Sequence, residues 1–232
     1  MLERLLTVLF CKRCALCDKV IAQEEELCEL CRVKLPRIGS NICPFCGRDR
    51  QNCHCGLEHF AFDGAAAPLY YTGQARHLIH QFKYYGQRHL AAPLAQLMAG
   101  RVREAFPGER FDLLVPVPMH RLERREREYN HSALLARELS RRLGVPCREK
   151  ALSKVRETRR QRGLTGAERR QNLRDAFTPG KGVTLAGKTV LLIDDVLTTG
   201  STAEECAKAL KSAGAKGVYC VTACATLWER EK

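Results

Sequence analysis

Two adjacent acids followed by a hydroxyl-rich turn offer the clearest chemistry in this chain. The run is Asp194-Asp195-Val196-Leu197-Thr198-Thr199-Gly200-Ser201-Thr202. Ahead of it Val190-Leu191-Leu192-Ile193 is wholly apolar, as in a buried strand, and open α/β sheets place ligands at the carboxyl ends of such strands. Behind it the pattern predicts a helix from Ser201 to Ala213, stopped by Gly214. Backbone N–H groups in such a turn, beside a helix N-terminus, converge on an anion. Thr198, Thr199, Ser201 and Thr202 add hydroxyls, and Gly200 lets the backbone approach closely. Ionised Asp194 and Asp195 accept hydrogen bonds, so they suit a ribose diol rather than the phosphate itself. They could also hold Mg2+ through its waters. The run therefore reads as a site for a sugar phosphate. A Walker loop would need Gly-Lys-Ser/Thr, which is missing. The plainer alternative, a strand ending in two acids before a capped helix, leaves the ordered succession of acids, glycine and hydroxyls without a reason.

The second set of reactive side chains lies at the other end. Of 13 cysteines, nine precede residue 56: Cys11, Cys14, Cys17, Cys28, Cys31, Cys43, Cys46, Cys53 and Cys55. Two-residue gaps recur in Cys14-x2-Cys17, Cys28-x2-Cys31 and Cys43-x2-Cys46, and Cys53-x-Cys55 closes the series. Such gaps let two thiolates of one knuckle reach the same tetrahedral ion. A disulfide framework needs an oxidising compartment, and no export signal is read here. Iron–sulfur clusters use similar ligands at different spacings. Two structural Zn2+ sites are expected, pairing Cys14, Cys17, Cys28 and Cys31, then Cys43, Cys46, Cys53 and Cys55. Cys11 is left over, and His54 and His59 are possible substitutes that read better as surface histidines. Closed four-thiolate sites leave no open position for a substrate, so no metal catalysis is expected there. A segment of about 55 residues with few large apolar side chains scarcely builds a core, and each structural zinc supplies on the order of 10–16 kcal/mol. Cys147, Cys206, Cys220 and Cys224 lie in apolar segments and read as ordinary buried residues.

These sites need elements to position them. A cysteine-rich region over 1–60 and a larger domain over 61–232 are expected. In the larger domain, Ala61 to Tyr71 reads as a strand or hairpin, followed by helices over Gly73 to Tyr84 and Leu90 to Phe106. Phe111 to Pro118 is a short buried strand, Asn130 to Leu143 an amphipathic helix, and a strand is expected near Cys147–Leu152. A helix around Gly166–Leu173, a strand over Lys188–Ile193 and a last strand over Gly217–Ala225 complete the pattern. Strands alternating with helices imply an α/β fold, a parallel sheet flanked by helices.

Lys+Arg number 39 against 26 Asp+Glu, a formal charge of +13. Such an excess favours polyanions, either phosphorylated metabolites or nucleic acid. Over half of it falls in Arg148–Arg174, where ten basic residues face three acidic ones. No apolar stretch reaches the length of a membrane span. The apolar run within Met1 to Phe10 is short and reads as an amphipathic helix rather than a signal peptide, so a cytoplasmic protein is expected.

The acid-and-hydroxyl run matches, at every position, the phosphoribosyl-pyrophosphate-binding signature of type I phosphoribosyltransferases. The rest of the chain resembles the ComF family, in which a zinc-ribbon region precedes such a domain. The residues that carry the resemblance are the Cys-x2-Cys pairs, Leu78-Ile79 with Lys83-Tyr84-x-Gly86, and Val115-Pro116-Val117-Pro118. To these are added Arg156-x-Thr158-x-x-Gln161-x-x-Leu164, Arg170-x-Asn172-Leu173 and Ala176-Phe177. Arg124 to Ser132, with Arg127, Tyr129 and Asn130, is similar to the family's Arg-Gly-Phe-Asn-Gln segment but departs from it at Glu128 and His131.

The resemblance implies a type I phosphoribosyltransferase-like domain binding 5-phosphoribosyl pyrophosphate with Mg2+. It implies that Arg121, Arg124 and Arg125 grip pyrophosphate, and that Arg156–Asn172 forms a mobile cover. In that cover Arg156, Arg159, Arg160 and Arg162 would neutralise the leaving group. Asp194, Asp195 and Arg156 are then the catalytic candidates. Purine-salvage relatives carry an extra aspartate in the loop where this chain has Thr198, which argues against purine-base salvage. The resemblance also implies a part in DNA uptake during natural transformation, with single-stranded DNA and other uptake proteins as partners. Two classes stay open: a transferase of unspecified acceptor, and a non-catalytic single-stranded-DNA-binding protein that uses the sugar-phosphate pocket for binding or regulation. A docking role for the zinc ribbons is a third. The basic stretch suits a phosphate backbone. Tyr84, Tyr85 and Tyr129 are candidates for base stacking, with core packing the more ordinary role for each.

Overall fold

The structure, a computed structural model, describes residues 12–53, 55, 60–120, 123, 129–158 and 165–227. Its centre is a five-stranded, wholly parallel sheet. The strands are β1 (Gly64–Ala66), β2 (Leu69–Tyr70), β3 (Leu113–Pro116), β6 (Thr189–Leu197) and β7 (Gly217–Ala225). The order is β1-β7-β6-β3, and β2 pairs on the same edge of β7 as β1. The expected strand or hairpin near residue 65 is thus two short parallel strands. They are separated at Pro68, which has no N–H to give the ladder, while its carbonyl accepts from the Ile38 N–H at 3.0 Å.

Side chains of a strand alternate between faces, and here each face meets a different set of helices. Leu191, Ile193 and Val221 pack with α2 (Gly73–Tyr84), α3 (Ala91–Ala105) and α4 (His131–Leu143) through Leu78, Phe82, Leu94, Met98 and Leu135. Val190, Leu192 and Cys220 pack with α6 (Ser201–Ser212) through Ala203, Cys206 and Leu210. Each such aliphatic side chain, fully buried, contributes about 1.5–3 kcal/mol. The strand reads as one apolar run because both faces are covered. Of the four later cysteines, Cys206, Cys220 and Cys224 are buried, while Cys147 is half-buried.

A two-stranded antiparallel ribbon, β4 (Leu152–Lys154) with β5 (Phe177–Pro179), stands beside the sheet. Between them lies α5 (Gly166–Leu173), started by a capping box in which Thr165 and Glu168 satisfy each other's backbone N–H groups. The strand expected near Cys147–Leu152 is a single bridge between Cys147 and Leu114, then a 3-10 turn at Glu149–Ala151, then β4. β5 escapes the sequence reading because three residues ending in proline carry no periodicity.

The cysteine-rich segment packs directly on this body. Cys14, Leu27, Cys28, Cys31 and Leu35 share a core with α2, α3 and α4. Its short helix α1 (Glu29–Val33) carries Cys31 inward. Arg101 of α3, 7% exposed, donates to the carbonyls of Gly39 (2.9 Å) and Ile38. Tyr70 donates to Asp49 Oδ2 at 2.7 Å.

Candidate functional site

β6 continues through both acids to Leu197, four residues beyond the expected end. Asp194 and Asp195 therefore sit inside the strand rather than just past its end. Val196 and Leu197 complete the strand, and Thr198 opens the turn. The continuation is possible because β7 pairs with it as far as Ala225 opposite Leu197.

Each acid has its own partner. Asp195, 9% exposed, meets Lys83 of α2, whose Nζ lies 2.7 Å from Asp195 Oδ1. Burial alone would lower the Lys83 pKa, but the charges of Asp195 and Asp194 raise it. Asp194 Oδ1 accepts from the hydroxyl of Ser132 on α4 and from the backbone N–H of Asp195, both at 2.9 Å. Burial, then the neighbouring Asp195 charge, push the Asp194 pKa up to about 7, against the opposing pull of Lys83.

The turn after the acids leads directly into α6. Gly200 takes φ +83°, the left-handed region that an L side chain rarely enters. A Cβ there would meet the Phe60 ring at 3.4 Å. Gly200 caps α6, and its carbonyl accepts from the Glu204 N–H at 2.8 Å. Thr199 Oγ1 and Ser201 Oγ lie 2.8 Å apart, and the Ser201 N–H points to Thr199 Oγ1 at 3.4 Å. Thr198, Thr199 and Thr202 are half-buried while Ser201 is buried. The acids, the glycine turn and the first turn of α6 are thereby brought to one end of the sheet.

Arg156 is exposed and donates to the carbonyls of Asn172 (2.9 Å) and Arg174 (2.7 Å), tying β4 to the end of α5. Both partners lie at the end of α5, and neither belongs to the acid pair. Arg121, Arg124, Arg125 and Arg127 lie outside the described residues. So do Glu128, Arg159, Arg160, Gln161, Arg162 and Leu164, and likewise Cys11, His54, His59 and the helix expected within Met1 to Phe10. Tyr129 is half-buried, with its hydroxyl donating to the Phe82 carbonyl at 2.7 Å. Tyr84 and Tyr85 instead stand 57% and 63% exposed, a correction to the packing role expected of them.

The eight expected metal ligands form two groups, Cys14-Cys17-Cys28-Cys31 and Cys43-Cys46-Cys53-Cys55. Within each group the sulfur atoms all lie within 4.8 Å of one another. Cys17 and Cys28 Sγ are 3.6 Å apart, Cys43 and Cys55 3.7 Å, and Cys46 and Cys53 3.5 Å. A Zn–S bond of about 2.3 Å gives a tetrahedron with edges of about 3.8 Å, so both groups fit the ion. Burial would raise Cys14 and Cys53, but hydrogen bonds, led by the backbone N–H groups of Cys28 and Cys55, bring each to about 7. Burial, with the neighbouring cysteines, pushes Cys31 and Cys55 far up, so a metal binding there would release their protons to solvent.

Three contributors had no chemical role in the sequence reading. Lys83 entered only through a family motif and Ser132 only as the end of one. Arg48, whose buried guanidinium reaches the carbonyls of Leu197 and Thr198, had no local signal. A lone cation on the apolar face of α2, beside Ile79 and Phe82, was the available clue to Lys83.

Comparison with known proteins agrees with both parts. Residues 130–232 match the family described as phosphoribosyl transferase domain, and residues 5–59 the double zinc ribbon domain. The chain is 32% identical to Competence protein F of Haemophilus influenzae over 83% of this chain and 87% of the relative. It is 30% identical to the DNA utilization protein YhgH of Salmonella typhimurium, over 92% of this chain and 90% of that one. Among solved structures it is similar to the Bacillus subtilis glutamine phosphoribosylpyrophosphate amidotransferase. That likeness is 20% identical with a TM-score of 0.42, covering 62% of this chain and 30% of the other.

Proposed function

The chain belongs to the ComF family, and from that premise we propose that it binds 5-phosphoribosyl pyrophosphate with Mg2+ in the service of cytoplasmic DNA uptake. The observation that carries this reading is the succession at one sheet end of Asp194, Asp195, the left-handed Gly200 and the first turn of α6. The amides and hydroxyls from Thr198 to Thr202 take the 5-phosphate. Asp194 takes a ribose hydroxyl, and the two carboxylates supply the oxygen ligands that Mg2+ prefers beside a substrate phosphate. When bound, Mg2+ would screen the pyrophosphate. Lys83 pairs with Asp195 within the core, and Ser132 fixes the Asp194 carboxylate in place.

In a transfer reaction the bond from the anomeric carbon to pyrophosphate breaks while a nucleophile bonds to the same carbon. The protein positions the sugar and stabilises the departing charge. Arg121, Arg124 and Arg125 are proposed for the pyrophosphate, and Arg156 as the cover that neutralises it. Incubation with phosphoribosyl pyrophosphate, Mg2+ and a panel of nucleophiles tests turnover through pyrophosphate release. Titration with ribose 5-phosphate tests the site alone. Failure of both ligands to bind would sink the reading.

A second reading, single-stranded DNA binding without catalysis, is favoured by one surface. Tyr84 and Tyr85 stand exposed beside His80, with ring centroids 4.8 and 5.7 Å from it, and Arg88 and His89 follow. No acid occurs between Asp63 and Glu104. Bases stack on such rings while cations follow the backbone. Binding of an oligonucleotide that falls with salt, and falls again in a Tyr84→Ala/Tyr85→Ala variant, would support it.

A further inference from the structure

Arg48 stands two residues after Cys46 yet is 1% exposed. Its guanidinium crosses from the second cysteine group to the end of the sheet. Nε donates to the Thr226 carbonyl at 2.6 Å, while one terminal nitrogen faces the carbonyls of Leu197 (3.2 Å) and Thr198 (2.5 Å) and Thr226 Oγ1 (3.4 Å). Leu197 ends β6, Thr198 opens the phosphate turn and Thr226 follows β7. One side chain thus clamps the two strand ends where the turn departs.

The backbone of Arg48 is held by the metal knuckle itself. The Cys43 N–H donates to the Arg48 carbonyl at 2.8 Å and the Gly47 N–H to the Cys43 carbonyl at 2.9 Å. Gly47 has φ +68°, and a Cβ there would lie 2.6 Å from the Ala65 carbonyl oxygen. The knuckle therefore rests on the backbone of β1, with no room for a side chain between.

A second contact runs in parallel. Phe60 packs against Cys43, Cys46 and Cys55 and stacks on Phe62, with centroids 4.6 Å apart. Both rings lie against Gly200. The Ala61 N–H donates to Glu204 Oε2, at 2.5 Å, in the first turn of α6. The turn is therefore held at its start by Arg48, at its glycine by Phe60 and Phe62 and at its exit by Ala61, and of these Arg48 and Phe60 contact the second cysteine group.

We infer that Arg48 is a positioning residue for the phosphate turn, and that it couples metal at the Cys43-Cys46-Cys53-Cys55 group to sugar-phosphate binding. The coupling to the ligand rests on the proposed function, whereas the hold of Arg48 on the turn does not. Arginine stays charged and its planar fork fixes several acceptors at once. A buried cation beside the turn also favours an anion there, because little water screens it. Coupling of this kind is reciprocal, so ligand in the turn must hold the metal as firmly as the metal holds the turn.

The test compares the full, zinc-loaded chain with Arg48→Met. Hydrogen exchange of residues 197–204, ribose 5-phosphate affinity and the rate of zinc release to a chelator are read in each. The variant is expected to keep two zinc ions, exchange faster over 197–204, and bind ribose 5-phosphate about tenfold more weakly. Saturating ribose 5-phosphate should slow zinc release from wild type and not from the variant. Unchanged exchange and unchanged zinc release in the variant would overturn the inference. If wild type binds no ribose 5-phosphate, the proposed function fails, while exchange and zinc release without ligand still decide the role of Arg48. Should Arg48→Met not fold, Arg48→Lys carries the same comparison. It keeps the charge but engages fewer acceptors, and behaviour equal to wild type would overturn the assignment.

Discussion

Lys83 and Asp195 form a 2.7 Å ion pair between the carboxyl end of α2 and a position inside β6, with little of either side chain exposed. The pair gives the family's Lys83-Tyr84-x-Gly86 motif a physical role. It gives the Asp195 carboxylate a cation partner in the middle of a parallel sheet, next to the Asp194 carboxylate.

Breaking that pair from one side should be costly. Lys83→Met leaves Asp195 buried without its cation, and a loss of about 3–5 kcal/mol is expected in chemical denaturation. Lys83→Met/Asp195→Asn should recover much of it. A double variant no more stable than the single one would show that the lysine acts elsewhere.

The Asp194 proton makes stability and binding respond oppositely to pH. Its folded pKa of about 7 stands above the ordinary value of 3.8. The folded chain therefore holds a proton that the unfolded chain has released. The resulting stabilisation is fully present below about pH 4 and is lost as pH rises through 7. Between pH 5 and 8.5, wild type should lose on the order of 1–3 kcal/mol relative to Asp194→Asn. Affinity for Mg2+ with phosphoribosyl pyrophosphate should rise over the same interval, as the carboxylate ionises, and calorimetry with the asparagine variant should lack that rise.

Gly200 is held by both conformation and space. Gly200→Val places a branched side chain at φ +83° against the Phe60 ring. A stability loss of about 1–3 kcal/mol is expected. A fall in ribose 5-phosphate affinity of tenfold or more, by a calorimetric titration, should accompany it, at about 1.4 kcal/mol per decade. Retained affinity would mean that the turn does not bind the phosphate.

The role proposed for Arg156 concerns the pyrophosphate and not the 5-phosphate of the proposed ligand. Arg156→Ala should leave ribose 5-phosphate affinity unchanged but weaken phosphoribosyl pyrophosphate by several fold, since charge-assisted contacts contribute about 1.5–3 kcal/mol. Equal affinities of wild type and variant for each ligand would confine Arg156 to capping the Asn172 and Arg174 carbonyls.

Metal content follows from the sulfur geometry. Elemental analysis should find two zinc ions per chain, and one after Cys46→Ser. Because the first cysteine group shares its core with α2 and α3, stripping both ions should lower the melting temperature of the whole chain rather than unfold a separate module. A melting curve unchanged by chelation would rule that out.

Much of this protein is written locally. The cysteine gaps dictate two four-thiolate groups because two residues span one knuckle. The apolar run before Asp194, the glycine and the hydroxyls mark a strand, a turn and a helix start by short-range rules, and α2, α4 and β7 are found where periodicity puts them. What the chain order does not carry is which distant groups meet. Asp194 and Asp195 lie inside β6 because β7 pairs with it past them. Their partners, Ser132 and Lys83, come from helices 62 and 112 residues earlier in the chain. Arg48 reaches Thr198 across 150 residues. Local sequence encodes backbone conformation and burial, whereas charge pairing and the clamp on the turn depend on how layers stack. That stacking is a property of the whole packed core and of no single segment.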